Sequence, residues 1–232
     1  MHLSGGRNTV RTFETVLAQI EQRIAADGLT VGDRLPGERQ LAEQLRVSRS
    51  SVREALRVLE TLGVVSSQVG RGPDAGAVLI SRPDGTLADL LRLNLGLTTM
   101  SAREVLDTRL MIERWSAARV TAAPAAMTEA LSAMDAATSP EEFVTHDIAF
   151  HVALTDAAGN RLLSAVLRAL RDALVSNAVE AVRRLGHTGD LQADHRRIHR
   201  AIEAGDAAEA VEAVTAHLAR AYPGLSPSHN VF

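Results

Sequence analysis

The spacing of apolar positions divides the chain into a helical start, a short β-rich stretch and a long helical remainder. Apolar residues recur every three to four positions before residue 27, as on one face of a helix. Ser48 is a favourable N-cap and Gly63 a favourable stop for a later helix. The elements predicted in this part are helices over 8–26, 37–45 and 49–62 and a β-hairpin that pairs 64–67 with 77–80.

The chain beyond residue 80 has only helical patterns. Ser81–Gly85 is rich in turn formers and is the best candidate for a domain boundary. Helices are predicted over 86–95, 101–122, 127–136, 140–158, 160–184, 188–204 and 206–221. The expected organisation is a first domain over 8–80, a linker over 81–85, an all-helical domain over 86–222 and a flexible tail over 223–232. The predicted fold class is therefore mainly α.

Composition excludes several classes of protein. The 232 residues are 46% hydrophobic, which is typical of a globular chain with one or two domains. There are no cysteines, so disulfide scaffolds, thiolate metal sites and cysteine nucleophiles are excluded. No apolar run is long enough to cross a bilayer, and the N-terminus has no signal-peptide pattern. We therefore expect a cytoplasmic protein with no membrane partner.

Two helices joined by a tight turn and followed by a hairpin predict a winged helix-turn-helix. The net charge of −3 does not by itself suggest nucleic acid, but the third helix carries Arg49, Arg53 and Arg57 at four-residue intervals. Such a stripe suits contacts to phosphates and to guanine, and Ser48 and Ser50 at the start of this helix can donate to phosphates. The alternative is an ordinary solvated helix face.

The segment LPGERQLAEQLRVSRSSVREALRVLETLGVV resembles the GntR family of bacterial transcription regulators. The resemblance implies a domain that binds a palindromic double-stranded DNA operator as a homodimer. It implies, by position, the following DNA-contacting residues: Arg39, Ser48, Arg49, Ser50, Arg53 and, in the hairpin turn, Gly70. The neighbouring Arg71 either enters a minor groove or is an ordinary loop arginine.

Histidines are concentrated in the second half of the chain. Asp147 and His151 are four residues apart and share a helix face, and two further predicted helices carry, respectively, His195 with His199 and His217. Three imidazoles and one carboxylate suit Zn²⁺, Ni²⁺ or Mn²⁺. The alternatives are surface or hydrogen-bonded histidines and a simple intrahelical pair.

The same region resembles the FCD ligand-sensing domain of the FadR-type branch of that family. The shared pattern is Asp-x-x-Phe-His, Gly-Asn, Asp-His-Arg-x-Ile and Ala-His-Leu. The resemblance implies a helical bundle that holds a divalent metal through Asp147, His151, His195 and His217. His146 points away from that set and His187 is expected in a solvent-facing loop. His199 is a candidate for the outer shell of the site or its pocket.

Arg109 and Glu113 are one helical turn apart in an apolar surrounding. They could form an intrahelical ion pair of a few tenths of a kcal/mol. The FCD resemblance instead implies that Arg109 binds the carboxylate of a small effector, a task for which a guanidinium fork is well shaped. We favour effector binding for Arg109 and a structural role for Glu113.

Three functions follow from these patterns. The first is a one-component transcription regulator whose DNA affinity changes when a small carboxylate binds beside a metal. The second is a metal-dependent hydrolytic enzyme, since a histidine and carboxylate site can activate water. The third is an architectural DNA-binding protein with a structural metal. We expect the first, and hence no enzymatic activity.

Overall fold

The structure, a computed structural model, describes residues 6–68, 76–81, 83–97 and 101–222. The chain folds into two compact units, residues 1–86 and residues 87–232. The first unit contains helices α1 (Gly6–Ala26), α2 (Glu38–Leu45) and α3 (Arg49–Thr61) and strands β1 (Val65–Gln68) and β2 (Gly76–Leu79). The expected mainly α architecture with an N-terminal winged helix-turn-helix is confirmed.

The turn between α2 and α3 is tightly defined. Arg46 ends α2 with a positive φ of 55°, and its backbone N–H donates to the carbonyls of Ala42 and Glu43. Ser48 then caps α3 by accepting a hydrogen bond from the backbone N–H of Ser51. These two caps satisfy backbone groups that helix ends leave open, and they fix the angle between the two helices.

The hairpin has a further partner that the sequence pattern did not predict. β1 and β2 are antiparallel, with Val65 opposite Leu79. Gly32 N donates to Leu79 O at 2.8 Å, and Leu35 N donates to Ala77 O at 2.9 Å. The connector before α2 therefore covers the outer edge of β2, which ties the hairpin to the three helices.

The core of the first unit collects one face from each of its helices together with the hairpin. The fully or nearly fully buried side chains include Val16, Ile20, Leu35, Leu41, Val52, Leu56, Leu59, Val65 and Leu79. Because α3 turns its apolar residues inward, its arginines are left on the outer face.

All regular secondary structure that is described in the second unit is helical. Helix α4 (Pro83–Gly96) begins before the boundary between the units. The helices after it are α5 (Ala102–Ala117), α6 (Ala125–Ala136), α7 (Pro140–Ala157), α8 (Arg161–Ala173), α9 (Val175–Leu185), α10 (Gly189–Glu203) and α11 (Ala207–Ala221). The main core lies among α5, α6, α7, α10 and α11. Its largest members include Met127, Phe150, Leu154, Ile198, Ile202 and Leu218.

Three features of the helices differ from the prediction by more than two residues. α4 starts at Pro83, inside the predicted linker, because proline fits the first turn of a helix. α5 ends at Ala117 instead of residue 122, and the chain beyond it buries Val120 in the core. The helix predicted over 160–184 is interrupted at Leu174, which has φ −107° and ψ 9°. The interruption lets α8 contact both α5 and α7, while α9 continues along α7.

Candidate metal centre and nucleic-acid interface

Four side chains from three helices meet inside the second unit. Two belong to α7, one to α10 and one to α11, and we call them the histidine cluster: Asp147, His151, His195 and His217. The imidazoles are buried, and the side chain of Asp147 is 13% exposed. One donor atom from each residue lies within 4.8 Å of the other three. The structure thus brings together all four residues predicted as metal ligands.

The spacing of the donor atoms fits a divalent metal ion. Asp147 Oδ1 lies 3.0 Å from His195 Nε2 and 3.5 Å from His151 Nε2, and His151 Nε2 lies 3.2 Å from His217 Nε2. Donors about 2.0–2.1 Å from one ion are separated by similar distances. In addition, neither ring nitrogen of His195 has hydrogen-bond geometry to any described group, although both are buried. Buried polar atoms normally have a partner, and an ion would supply one to Nε2.

Carboxylates outside the cluster face two of the imidazoles, and of the two only Glu113 lies within hydrogen-bond distance of its ring. Glu113 Oε2 lies 2.6 Å from His151 Nδ1, and Asp194 Oδ2 lies 3.8 Å from His217 Nδ1. A proton held on Nδ1 by such a carboxylate leaves Nε2 free as a ligand. Asp194 is itself held by Arg220, whose Nε donates to Oδ2 at 2.8 Å.

Burial and neighbouring charges set the protonation of the cluster. Burial raises the pKa of Asp147, but the positive charge of Arg171 and the contacts with His151 and His195 together outweigh it and hold this pKa well below its ordinary value. Burial lowers the pKa of His195, and burial together with His195 lowers the pKa of His217 to about 3. For His151, burial lowers the pKa, but the carboxylates of Glu113 and Asp147 together outweigh it and raise the pKa above its ordinary value. The cluster therefore offers an ionised carboxylate and two imidazoles that are neutral at pH 7, the forms that bind metals.

Two buried arginines face the cluster from α5 and α8. Arg171 pairs with Asp147. Arg109 is 2% exposed and donates from Nε to Glu113 Oε1 at 3.0 Å and from Nη1 to the hydroxyl of Tyr222 at 3.0 Å. Both arginines, with Asp147, line one cavity beside the cluster. This arrangement joins a metal-type donor set to guanidinium groups suited to an anion.

The exposed face of α3 and the start of α2 form the candidate nucleic-acid interface. The side chains at positions 39, 48, 49, 50 and 53 are all exposed. Ser48 Oγ lies 2.8 Å from the hydroxyl oxygens of both Ser50 and Ser51, so three hydroxyls cluster at the N-terminus of α3. Gly70 and Arg71 lie outside the residues that the structure describes.

The arginines of this face differ in their surroundings. Arg53 is held by Glu38 of α2, with Nη2 donating to Oε2 at 3.0 Å. Within the part of the chain that the structure describes, no acidic side chain pairs with Arg49. Arg49, at the first position of α3, is therefore available to a ligand, while Arg53 is anchored across the two helices.

Comparison with protein families identifies both units. Residues 12–73 match the model of bacterial regulatory proteins of the gntR family, and residues 104–220 match the FCD domain. The chain belongs to the GntR family of bacterial transcription regulators. Its FCD domain places it in the FadR-type branch, as the sequence resemblance implied. GntR regulators bind DNA operators and FCD domains bind small-molecule effectors, so the chain is a regulator and not an enzyme.

Individual relatives of this GntR regulator cover most of its length. It is 29% identical to the HTH-type transcriptional regulator LutR of Bacillus subtilis, over 85% of this chain and 94% of LutR. It is 30% identical to a putative L-lactate dehydrogenase operon regulatory protein of Escherichia coli, over 90% of this chain and 84% of the relative. A solved GntR structure from Streptococcus agalactiae shares the fold, with a TM-score of 0.57, 23% identity and coverage of 90% and 98%.

Several residues around the site of this GntR regulator were missed or assigned otherwise from the sequence. Glu113, expected to be structural, contacts both Arg109 and His151, and Arg171 was not singled out. The four-residue spacing of the Arg109–Glu113 pair was visible, but its contact with another helix was not. His199 lies outside the cluster, where its Nε2 is 2.8 Å from the hydroxyl of Thr128.

No helix in the described parts of the chain is long and apolar enough to span a bilayer.

Proposed function

We propose that this chain is a one-component transcription regulator that binds a palindromic operator as a homodimer and responds to a small carboxylate. The observation that carries this proposal is the buried histidine cluster next to Arg109 and Arg171, in a chain whose other unit presents an arginine-bearing helix. The domain extents that we propose are 8–80 for DNA binding and 86–222 for metal and effector binding.

The metal is proposed to be Zn²⁺, Ni²⁺ or Mn²⁺, held by Asp147, His151, His195 and His217. When bound, it would supply positive charge and Lewis acidity to an anionic ligand. Charge balance supports an anion. The carboxylates of Glu113 and Asp147 already balance the guanidiniums of Arg109 and Arg171, so a divalent ion adds uncompensated positive charge to a buried site.

The effector is proposed to be a hydroxy acid, sugar acid or dicarboxylate. Arg109 would bind its carboxylate through the guanidinium fork. The Escherichia coli relative is named for an L-lactate dehydrogenase operon, and L-lactate is a 2-hydroxycarboxylate. Effector binding would then change how the helical domains orient the two DNA-binding domains of the dimer. The proposed DNA contacts are Arg39, Ser48, Arg49, Ser50, Arg53, Gly70 and Arg71.

The test compares matched variants of one helix. His195→Ala removes a proposed ligand, while His199→Ala removes a buried imidazole of the same helix that lies outside the cluster. Metal content and affinity for a duplex selected from random DNA are measured with and without L-lactate, glycolate, gluconate and succinate. We expect His195→Ala to lose metal and effector response but to keep DNA binding, and His199→Ala to keep all three.

Arg109→Lys separates the effector from the metal. It keeps the charge opposite Glu113 but removes the planar fork, so it should retain metal and lose the response to the acids. If none of these acids changed DNA affinity of the metal-loaded wild type, the architectural alternative would replace the regulator. If His195→Ala still bound metal normally, the metal site would be wrong.

A further inference from the structure

Tyr222 is hydrogen-bonded to the guanidinium of Arg109, the group that we propose binds the effector. It is the only tyrosine of the chain and follows α11 directly. Its hydroxyl accepts a hydrogen bond of 3.0 Å from Arg109 Nη1, and its ring centroid lies 5.6 Å from Arg109 Cζ. Nε and Nη2 of Arg109 face Glu113 Oε1, within the same helix. Nη1 is thus the part of the fork directed away from the helix, and the phenol covers it.

Tyr222 lines two cavities. The inner cavity, beside the histidine cluster, has a free volume of about 30 Å³ and is lined by Asp147 and His217. The outer cavity has a free volume of about 170 Å³ and is lined by Asn177 and Arg184. The residues common to both are Arg109, Ala181 and Tyr222.

The inner cavity is narrow while Tyr222 is in place. It offers about 30 Å³ to a small ligand, against about 170 Å³ in the outer cavity. The free protein therefore has the chemistry of a carboxylate site with little room beside the histidine cluster. Because Arg109 and Tyr222 line both cavities, displacing the Tyr222 ring would widen the inner one and uncover Arg109 Nη1.

We propose that Tyr222 is the gate and size-determining residue of the effector site, and that an effector carboxylate displaces its hydroxyl from Arg109. This inference rests on the proposed carboxylate site. With the gate open, the carboxylate end lies between Arg109 and the cluster, and the distal end reaches the outer cavity. Arg184 and Asn177 are both exposed there and offer donors to hydroxyl or carboxylate groups of a longer acid.

The test uses cobalt-loaded full-length protein, whose visible spectrum reports ligands near the metal. Acetate is titrated into wild type, Tyr222→Phe and Trp115→Phe. The phenylalanine at 222 keeps the ring but removes the competing hydroxyl. Trp115→Phe is the matched control, because Trp115 also lies on an arginine, 4.1 Å from Arg119 Cζ, but lines neither cavity. Loss of one hydrogen bond to Arg109 should tighten acetate binding roughly five- to tenfold in Tyr222→Phe alone.

A second measurement follows the gate itself. Wild-type protein in which the single tyrosine is replaced by 3-fluorotyrosine gives one ¹⁹F resonance, and acetate should shift it in the zinc-loaded protein. Equal acetate affinity in wild type and Tyr222→Phe, or a ¹⁹F resonance that stays fixed while acetate binds, overturns the gate. Failure to retain cobalt, or no spectral change with acetate in any of the three proteins, overturns the proposed metal and carboxylate site instead.

Discussion

Neutralising Glu113 should disturb both the proposed metal ligand His151 and the proposed effector-binding residue Arg109. Its carboxylate is fully buried and lies between two partners, with Oε1 on Arg109 and Oε2 on His151 Nδ1. Burial raises the pKa of Glu113, but His151 and Arg109 outweigh it and hold the pKa below the ordinary value, so the group is ionised. Glu113→Gln preserves the shape of the side chain and removes that charge.

The amide cannot serve both partners as the carboxylate does. If its oxygen stays on Arg109, its NH₂ faces His151 Nδ1, which must then accept, and the imidazole proton moves to Nε2. That nitrogen is the proposed ligand atom, so metal affinity should fall roughly 10–100-fold. Leaving the buried Arg109 without a counter-charge should cost about 3 kcal/mol of folding free energy. For a domain of this size, that corresponds to a melting temperature lower by about 6–12 °C.

The assay is competition for Zn²⁺ with a chromophoric chelator, together with thermal unfolding of the metal-free and metal-loaded protein. Asp107→Asn is the matched control, because Asp107 and Arg103 also form a four-residue pair on α5 but are 48% and 38% exposed. That variant should change stability by no more than about 1 kcal/mol and leave metal affinity intact. Wild-type zinc affinity in Glu113→Gln would refute the reasoning that Glu113 sets the tautomer of His151.

Three further results are expected. Arg49→Ala should weaken operator binding by about 1–3 kcal/mol and relax base preference. Arg57→Ala, two turns along the same helix, should weaken binding less and leave the base preference unchanged, and equal losses in a binding titration would contradict this. Light scattering should give twice the chain mass, because one helix-turn-helix reads only a short half-site, and a monomeric mass both free and on DNA would refute the dimer. Metal affinity should weaken as the pH falls from about 8 to 6, because the raised pKa of His151 lets a proton compete with the metal for the ligand nitrogen. A metal affinity that does not change with pH in chelator competition would count against this.

The first unit could be predicted closely because its signals are local. Ser48 caps α3 in the structure as its side chain suggests, and α3 ends within a residue of the predicted position before Gly63. The pairing of Gly32 and Leu35 with β2 could not be predicted in this way. It joins segments more than forty residues apart, and the connector has no alternating pattern of its own.

The interrupted helix in the second unit has a similar explanation. The sequence between residues 160 and 184 contains no proline or glycine, so its periodicity predicts one continuous helix. The helix nevertheless ends at Leu174, after which α9 packs against α7 while α8 contacts both α5 and α7. This break is a consequence of packing against other helices, and it determines where Arg171 and the residues of the outer cavity lie.

The four proposed ligands could be predicted from the sequence because Asp147 and His151 share a helix face and the FCD pattern pointed to His195 and His217. Residues that act on those ligands were harder to find, since each has an ordinary local explanation. Glu113 is an unremarkable partner for Arg109 until α5 lies beside His151, and Arg171 is one of several arginines on its helix. Tyr222 follows the last helix and gains its importance only from the 3.0 Å contact with Arg109.

The net charge of the buried site links metal binding to carboxylate binding. Without metal, the buried carboxylates and guanidiniums compensate one another, and the phenol of Tyr222 is a sufficient neutral partner for Arg109 Nη1. A divalent ion in the histidine cluster would add positive charge that the protein leaves uncompensated, which favours replacement of a neutral hydroxyl by a carboxylate. Metal binding should therefore increase carboxylate affinity, and by linkage a bound carboxylate should increase metal affinity in equilibrium competition with a chelator. A carboxylate that bound equally well to metal-free protein would show that Arg109 alone makes the site.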